Sequence, residues 1–277
     1  MMKTKDDYIN LLKNAGVWDP VGDYEKIYSQ YYFTEAGQND PIAVKEFEAD
    51  IHERCNRIPL EHIVGYAELN ANRYVVGTGV FIPRIQSLGI VEWLKENKAI
   101  APSSFVYDLC SGSGAIGIEI WKMTNANIVC IEKSDLATKY LKRNILRHNA
   151  EKVDVYQGDI KEYFDDMPQK AVEAEIVISN PPYVPKEMAQ PPEWGVHHPE
   201  ESVYAEQDGL DIIYASALFA NRALKKDGVV LIEHDENQGE SVSAILASNN
   251  FYNIQTIVSE KYSDETGLSI FTIGYKL

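Results

Sequence analysis

The stretch FVYDLCSGSGAIGIEI, from Phe105 to Ile120, decides the fold class of this 277-residue chain. It has the pattern of a strand, a turn with glycine at 112, 114 and 117, and the start of a helix. Glycine at 112 permits a tight turn, and glycine at 114 allows a ligand to approach the backbone closely. The pattern therefore predicts a βαβ unit with a binding site at the carboxyl end of its first strand.

Acidic residues lie at the ends of three predicted strands, where a bound nucleoside would need them. Asp108 ends the first strand, and Glu132 ends the next, where a carboxylate can accept two hydrogen bonds from ribose hydroxyls. Asp159, in VYQGD, follows a third strand, where an acid can meet an adenine amine. The spacing fits both an NAD site and an S-adenosylmethionine site. The predicted cofactor-binding residues are Asp108, Gly112, Ser113, Gly114, Glu132, Asp159 and also Asn180, described next.

A strand over EAEIVIS runs directly into Asn180, Pro181, Pro182 and Tyr183, the sequence NPPY. Two prolines end a strand because neither donates a backbone hydrogen bond and each fixes its own φ. An amide nitrogen is a poor nucleophile, but acceptors for its N–H groups can aim its lone pair at a methyl donor. We predict that the Asn180 side chain and the Pro181 carbonyl supply those acceptors and that Tyr183 stacks on the planar group. These three are the predicted catalytic residues, and NPPY favours S-adenosylmethionine over NAD.

Helical and strand-like segments alternate from about residue 85 onward, which is typical of an α/β fold with a parallel sheet and helices on both faces. The strand candidates are SFVYDL, NIVCIE, VDVYQGD, EIVISN, GVVLIEH and SIFTIGYK. The segment from Val184 to Gly209 is rich in proline and has no clear period. A loop of that length is usually functional, and its place after NPPY suggests that it closes over a ligand.

The first part of the chain has a different pattern, predicting short helices up to about residue 56. Asp40 is a plausible N-cap, with Pro41 at the first helical position. Glycines at 65, 77 and 79 and the alternation in NRYVV then predict a β-hairpin. We expect a helical N-terminal substrate or lid domain over residues 1–64, a hairpin linker over 65–84 and a cofactor-binding catalytic domain over 85–277.

The composition disfavours several classes of partner. The chain has 42 acidic and 26 basic residues, a formal charge of −16, so it repels phosphate backbones and offers nothing to anionic lipid. The basic stretch LKRNILRHN, Leu141 to Asn149, is typical of a solvated helix face. Cys55, Cys110 and Cys130 show no CxxC spacing, and the start lacks an apolar signal core. We expect a cytoplasmic protein with no membrane segment and no nucleic-acid partner.

A metal site is not expected. The adjacent His197 and His198 lie in the proline-rich segment, where such residues are usually on the surface. The acidic EHDE cluster, Glu233 to Glu236, has the spacing of no standard metal site.

Several further motifs together resemble the HemK/PrmC family of protein-(glutamine) methyltransferases. The resemblance covers nearly the whole chain and implies a Rossmann-like class I methyltransferase fold, S-adenosylmethionine as cofactor and a helical N-terminal substrate domain. It also implies that Asn180 orients the methylated nitrogen. The matching stretches are RIPLEHIVG from Arg57, VFIPR from Val80, DLCSGSG from Asp108, NPPY, DGL from Asp208 and EHDENQG from Glu233.

The chain departs from the family pattern at several positions. Where the family has P-E-T-E after P-R, this chain has IQSL, Ile85 to Leu88. Other changes are HP at His198 and Pro199 for E-P, Glu206 and Gln207 for G-G, and Asp235 for a glycine. These changes fall in or near the expected substrate pocket, which suggests a retained cofactor and an altered acceptor.

Four hypotheses for function follow. The first is methylation of a planar nitrogen, such as an amide or amidine, in a small molecule or peptide. The second keeps the glutamine of a release factor as the acceptor. The third is consumption of the cofactor by intramolecular displacement without methyl transfer, and the fourth is a cofactor-binding module without turnover. The sequence does not indicate the oligomeric state.

Overall fold

A computed structural model of the chain describes residues 3–31, 40–166, 173–206, 208–263 and 267–277. Gln207, one of the departures named above, lies outside these residues. None of the helices in the described ranges is long and apolar enough to cross a membrane.

The first described helices pack around an aromatic cluster. Tyr8, Tyr24 and Phe47 are buried there, and the Phe47 ring lies edge-on to both tyrosines. Asp40 caps the third helix by accepting a hydrogen bond from the N–H of Ile42, so the predicted N-cap is confirmed. The helices are α1 (Lys5–Asn14), α2 (Pro20–Tyr31), α3 (Pro41–Cys55) and α4 (Leu60–Val64).

The predicted hairpin is present as strands β1 (Tyr66–Leu69) and β2 (Asn72–Val75), which pair antiparallel. Its two-residue turn, Asn70 and Ala71, has positive φ at both positions, the conformation that matches the twist of a hairpin. The Glu119 carboxylate accepts a hydrogen bond at 2.7 Å from the side chain of Asn70. The hairpin is therefore fixed to the helix that follows the glycine loop.

Most of the remaining strands form one sheet with helices on both faces, whereas two short strands after NPPY pair separately. Among the described residues, seven strands pair in the order β10-β11-β9-β6-β3-β4-β5. The strands after the hairpin are β3 (Phe105–Leu109), β4 (Asn127–Glu132), β5 (Val153–Gln157), β6 (Ala174–Ser179), β7 (Val184–Pro185), β8 (Tyr204–Ala205), β9 (Leu224–Glu233), β10 (Phe251–Val258) and β11 (Ile270–Lys276). The helices are α5 (Leu88–Asn97), α6 (Ala115–Thr124), α7 (Asp135–His148), α8 (Tyr163–Asp166), α9 (Pro192–Gly195), α10 (Glu200–Val203), α11 (Asp211–Ala223) and α12 (Gly239–Ser248).

The α/β prediction is confirmed, with one correction to the expected parallel sheet. All six strand candidates are strands, but β11 runs antiparallel to both β9 and β10. Strand β10 was not predicted, because polar residues interrupt its apolar pattern and much of this edge strand is exposed. The predicted domain boundaries at 64/65 and 84/85 stay predictions.

The order of the strands creates a place for a ligand. The chain moves from β3 outward through β4 and β5, and then returns to place β6 and β9 on the other side of β3. In open α/β sheets, ligands bind outside the carboxyl ends of the strands where the winding direction reverses. The switch point lies between β3 and β6, so the glycine loop and NPPY face the same crevice.

In the described residues of the proline-rich segment after NPPY, 184–206 and 208–209, the elements are the short β7, α9, α10 and β8, which are too brief to show a period. The expectation that both adjacent histidines are surface residues is wrong for His198. Its ring is 6% exposed, because it packs against the rings of Phe81 and His62. The basic face of α7 is solvated as predicted, with Lys142 and Arg147 exposed.

Candidate functional site

A cavity of about 1120 Å³ opens at the carboxyl ends of the central strands. The glycine loop after β3, the ends of β4 and β6, and the segment after NPPY all contribute to its wall. Of the predicted site residues, the cavity is lined by Gly112, Ser113, Glu132, Asp159, Asn180, Pro181 and Tyr183. A single crevice therefore brings the two main motifs together.

Asp108 and Gly114 lie behind this wall and are not among its lining residues. Asp108 is 1% exposed and accepts a hydrogen bond at 3.0 Å from the N–H of Gly117, at the start of α6. Burial raises the pKa of the Asp108 carboxyl to about 7, against the opposing effect of that N–H. A Cβ at Gly114 would lie 2.0 Å from Leu141 Cδ1, so glycine there leaves room for α7. The predicted contact of Asp108 and Gly114 with a cofactor stays a prediction.

Glu132 is fixed by two backbone donors. Its Oε2 accepts from the N–H of Gly112 at 2.8 Å and its Oε1 from the N–H of Ser134 at 2.7 Å. Burial raises the pKa of this carboxyl, whereas both N–H groups oppose the rise. An ionised carboxylate has about four acceptor positions, so Glu132 can still accept from a hydroxyl group.

Asp159 lies at the end of β5, on the same side of the cavity as Glu132. The pKa of the Asp159 carboxyl is lowered. Burial acts to raise it, but the N–H of Lys161 and the ammonium of Lys133 outweigh that effect. The distance between Lys133 Nζ and Asp159 Oδ2 is 3.1 Å. Asp159 therefore presents a carboxylate acceptor to the cavity, as an adenine amine requires.

The NPPY corner is held in place from outside. The side-chain amide of Gln238 donates to the carbonyl of Tyr183 at 3.0 Å and to that of Asp208 at 3.3 Å. Gly209 has a φ of 73°, and a Cβ there would lie 2.2 Å from the Tyr183 carbonyl oxygen. The DGL and EHDENQG motifs therefore both serve to fix the backbone of the corner.

Three side chains meet at the corner and form what we call the Asn180 cluster: Ser87, Asn180 and Glu233. Asn180 Nδ2 donates to Ser87 Oγ at 3.0 Å, which leaves its Oδ1 as an acceptor. The Glu233 carboxylate interacts with both of the other two side chains. Ser87 stands where the family pattern P-E-T-E has threonine, so a hydroxyl group is retained at this position.

Sequence analysis did not identify Ser87 and Glu233 as site residues. Glu233 is 4% exposed, lines the cavity, and its Oε2 has no hydrogen-bond partner among the described residues. Burial raises the pKa of its carboxyl to about 7, opposed by Ser87, the charge of Arg84 and Asn180. A signal for it exists in the sequence, because Glu233 ends a strand of the sheet just as Asn180 follows one.

The segment after NPPY is tied to the N-terminal helices. Glu193 accepts hydrogen bonds from Arg57 Nε at 2.5 Å and from Arg54 Nη1 at 3.0 Å. Arg54 also pairs with Asp23 at 2.6 Å. The guanidinium of Arg84 lies 3.6 Å from the centre of the Trp194 ring. Arg84 and Trp194 line the cavity, and the neighbouring Glu193 links this part of its wall to α2 and α3.

The cavity has a strongly acidic lining. Nine carboxylate side chains and three cationic ones line it. Such a lining favours a ligand with positive charge and repels phosphate groups. Within the described residues, no three His, Cys, Asp or Glu side chains come together as a metal ion would require.

Comparisons with known proteins give a consistent result. A family model described as "Conserved hypothetical protein 95" matches residues 88–194. Over 242 residues the chain is 32% identical to the release factor glutamine methyltransferase of Streptomyces coelicolor, covering 83% of each chain. It is also 31% identical over 204 residues to the 4-amino-L-phenylalanine/4-methylamino-L-phenylalanine methyltransferase of Streptomyces pristinaespiralis, covering 70% of this chain and 67% of that one.

The fold is also found among solved structures. One of these is the 16S rRNA N2 G1207 methyltransferase of T. thermophilus, in complex with AdoMet and guanosine. The TM-score is 0.51 with 20% identity, covering 76% of this chain and 50% of that one.

Proposed function

Since the chain belongs to the family of release factor glutamine methyltransferases, we propose that it methylates the side-chain amide nitrogen of a glutamine in a protein acceptor. The chain is a class I methyltransferase that uses S-adenosylmethionine. Among the hypotheses above, methyl transfer to a planar nitrogen agrees with the relatives, which are named methyltransferases. Neither consumption of the cofactor without methyl transfer nor binding without turnover is supported by them.

The residues of the cavity fit the cofactor. Glu132, held by two N–H groups, retains an acceptor position for a ribose hydroxyl, and Asp159 presents one for an amine. The acidic lining suits a ligand that carries a sulfonium charge. When bound, S-adenosylmethionine supplies an electrophilic methyl group, so the protein needs only to orient the acceptor nitrogen.

The observation that carries this proposal is the orientation of the Asn180 amide. Its Nδ2 donates to Ser87, so Oδ1 remains to accept an N–H of the acceptor amide. The carbonyl of Pro181 is proposed to accept the second N–H, and the following Pro182 restricts the ψ angle that sets the direction of this carbonyl. Two such hydrogen bonds favour the geometry in which the nitrogen lone pair is no longer delocalised. The proton leaves after methylation, when the nitrogen carries positive charge, so a strong base is not needed.

A protein acceptor is favoured by the relatives that are named for a release factor. Glu193, within residues 184–206, pairs with Arg54 on α3 and with Arg57 just after that helix. We propose that an extended peptide loop enters the cavity beside these joined parts and presents its glutamine to Asn180. A release factor is the first protein acceptor to test, because it is named for the relatives.

A second candidate acceptor is an aromatic amine on a free amino acid. The Streptomyces pristinaespiralis relative is named for 4-amino-L-phenylalanine, whose amine is also a planar nitrogen with two N–H groups. The same pair of acceptors at Asn180 and Pro181 suits it.

A cytoplasmic location remains a prediction from the three unpaired cysteines.

The experiment is methyl transfer from labelled S-adenosylmethionine to a purified bacterial release factor, and in parallel to 4-amino-L-phenylalanine. We expect label on one glutamine of the release factor, located by peptide mass spectrometry, and S-adenosylhomocysteine as the second product. A release factor with that glutamine replaced by alanine is the control. Label on the amino acid alone would select the second candidate, and methylthioadenosine without label transfer would contradict both.

A further inference from the structure

Glu233 is a buried carboxylate with no role in the proposed binding of the substrate amide, which Asn180 and Pro181 provide. It closes β9 at the cavity wall, and its Oε2 has no hydrogen-bond partner among the described residues. A buried carboxyl group without full pairing opposes folding. Residues that oppose folding at a cavity are commonly retained for function.

The amide of Asn180 has two ends of nearly equal size and opposite chemistry. Oδ1 accepts hydrogen bonds, whereas Nδ2 donates them. A side chain turned by half a rotation would present N–H groups to the acceptor nitrogen and repel it. Catalysis therefore needs a means of choosing one orientation.

The Asn180 cluster provides that means. An ionised carboxylate only accepts hydrogen bonds, so side chains beside Glu233 must turn donors toward it. The Ser87 hydroxyl oxygen accepts from Asn180 Nδ2 at 3.0 Å, which leaves the proton of that hydroxyl free to turn toward the carboxylate of Glu233. Asn180 itself also interacts with Glu233. Every one of these contacts favours the same amide orientation.

We propose that Glu233, acting with Ser87, is a positioning residue that fixes the Asn180 amide with Oδ1 toward the acceptor nitrogen. This inference rests on the proposed methylation of an amide or amine nitrogen. It extends that function by assigning roles to two residues that do not touch the reacting atoms.

The first test exchanges the hydrogen-bond donor and acceptor between Asn180 and Glu233. In Asn180→Asp the new carboxylate can still accept a hydrogen bond from the N–H of the substrate, but it faces the carboxylate of Glu233. Adding Glu233→Gln supplies an amide donor in its place. We expect the double variant to have a kcat on a release factor about tenfold above that of Asn180→Asp. A double variant no faster than Asn180→Asp would overturn the proposal.

Variants of Ser87 provide the second test. Ser87→Ala removes the bridging hydroxyl, and we expect kcat to fall about tenfold or more while the Kd for S-adenosylmethionine is unchanged. Ser87→Thr keeps the hydroxyl and should restore kcat. Ser104→Ala is the matched control, because Ser104 is also buried but precedes the amino end of β3. Equal kcat in Ser87→Ala and Ser104→Ala would contradict the role of the hydroxyl.

A measurement without any acceptor separates this inference from the proposed function. In ¹⁵N-labelled protein, the side-chain amide signals of Asn180 should shift as Glu233 ionises, and Glu233→Gln should abolish that shift. Arg84, Tyr183, His234 and Asp235 carry the other charged or titratable groups near Glu233, and they are the same in both proteins. Lack of release-factor methylation by the wild type would contradict the proposed function only. A shift that persists in Glu233→Gln would overturn the positioning role.

Discussion

Asn180 and Glu233 leave neighbouring parallel strands at the same level, one residue beyond the paired positions Ser179 and Ile232. The pairing of β6 with β9 therefore places an amide beside a carboxylate at the cavity wall. Because this contact depends on strand register, a shift of one residue would turn one of the two side chains to the other face of the sheet. The geometry of the site is thus set by the sheet itself.

The burial of Glu233 has a cost in stability that depends on pH. Burial raises the folded-state pKa of Glu233 from 4.5 to about 7, so between these values the folded chain binds more protons than the unfolded chain. The contribution of this group to stability is therefore fully present below the unfolded pKa and is lost as the pH rises through 7. Glutamine does not titrate, so Glu233→Gln should gain stability relative to wild type as the pH rises.

Thermal unfolding at about pH 5 and about pH 8 measures this effect. We expect the Tm of Glu233→Gln minus that of wild type to be larger at the higher pH by roughly 3 °C or more. Asp108 also has a raised pKa, but it titrates in both proteins and cancels in the difference. The same Tm difference at both pH values would contradict the raised pKa of Glu233.

Gln238 should be needed for the rate of methyl transfer although it lies outside the reacting groups. Its Nε2 donates to the carbonyl of Tyr183 at 3.0 Å. Glutamate has no donor at that position and would repel the carbonyl, so Gln238→Glu should lower kcat about tenfold with little change in cofactor Kd. Gln255→Glu, the same substitution at an exposed site on β10, is the control. An unchanged kcat would show that the corner does not depend on this contact.

Glu132 should contribute to cofactor affinity rather than to the chemical step. Replacing it with glutamine removes the negative charge and one of the acceptor atoms held by Gly112 and Ser134. We expect the Kd for S-adenosylmethionine, measured by calorimetry, to rise about tenfold or more, with kcat near normal at saturating cofactor. The exposed Glu151→Gln serves as the control. Unchanged affinity in Glu132→Gln would refute the ribose assignment.

The parts of the site that sequence analysis recovered are those encoded by neighbouring residues. The glycine loop, Glu132 and NPPY each follow an apolar strand directly, so their position at one edge of a sheet follows from the α/β pattern. Ser87 and Glu233 were missed because their roles depend on contact with Asn180 across 93 and 53 positions of sequence, which no local pattern encodes.

Burial was the other feature that sequence alone did not supply. His198 looks like a loop residue in the sequence, yet Phe81 and His62, from an earlier part of the chain, cover it. Strand β10 was missed for the opposite reason, since its exposed edge position relaxes the demand for apolar residues. Both errors arise where tertiary contacts override local composition.

The link between the N-terminal helices and the segment after NPPY should affect acceptor binding. Glu193 accepts from Arg57 and Arg54 at once, with distances of 2.5 and 3.0 Å. Glu193→Gln weakens both ion pairs, so we expect a higher KM for the protein acceptor and faster proteolysis of residues 184–206, with cofactor Kd unchanged. The control is Glu187→Gln, an exposed position of the same segment. Equal KM values in the two variants would show that this link does not shape the acceptor site.

The most direct measurement is single-turnover methylation of a release factor by Asn180→Ala, with the variant saturated by S-adenosylmethionine. The variant loses the acceptor Oδ1 but keeps both prolines and the glycine loop. We predict a cofactor Kd within about threefold of wild type and a methyl-transfer rate lower by a factor of at least about 100. A rate within a few-fold of wild type would contradict the account, because the acceptor nitrogen would then be oriented without the Asn180 side chain.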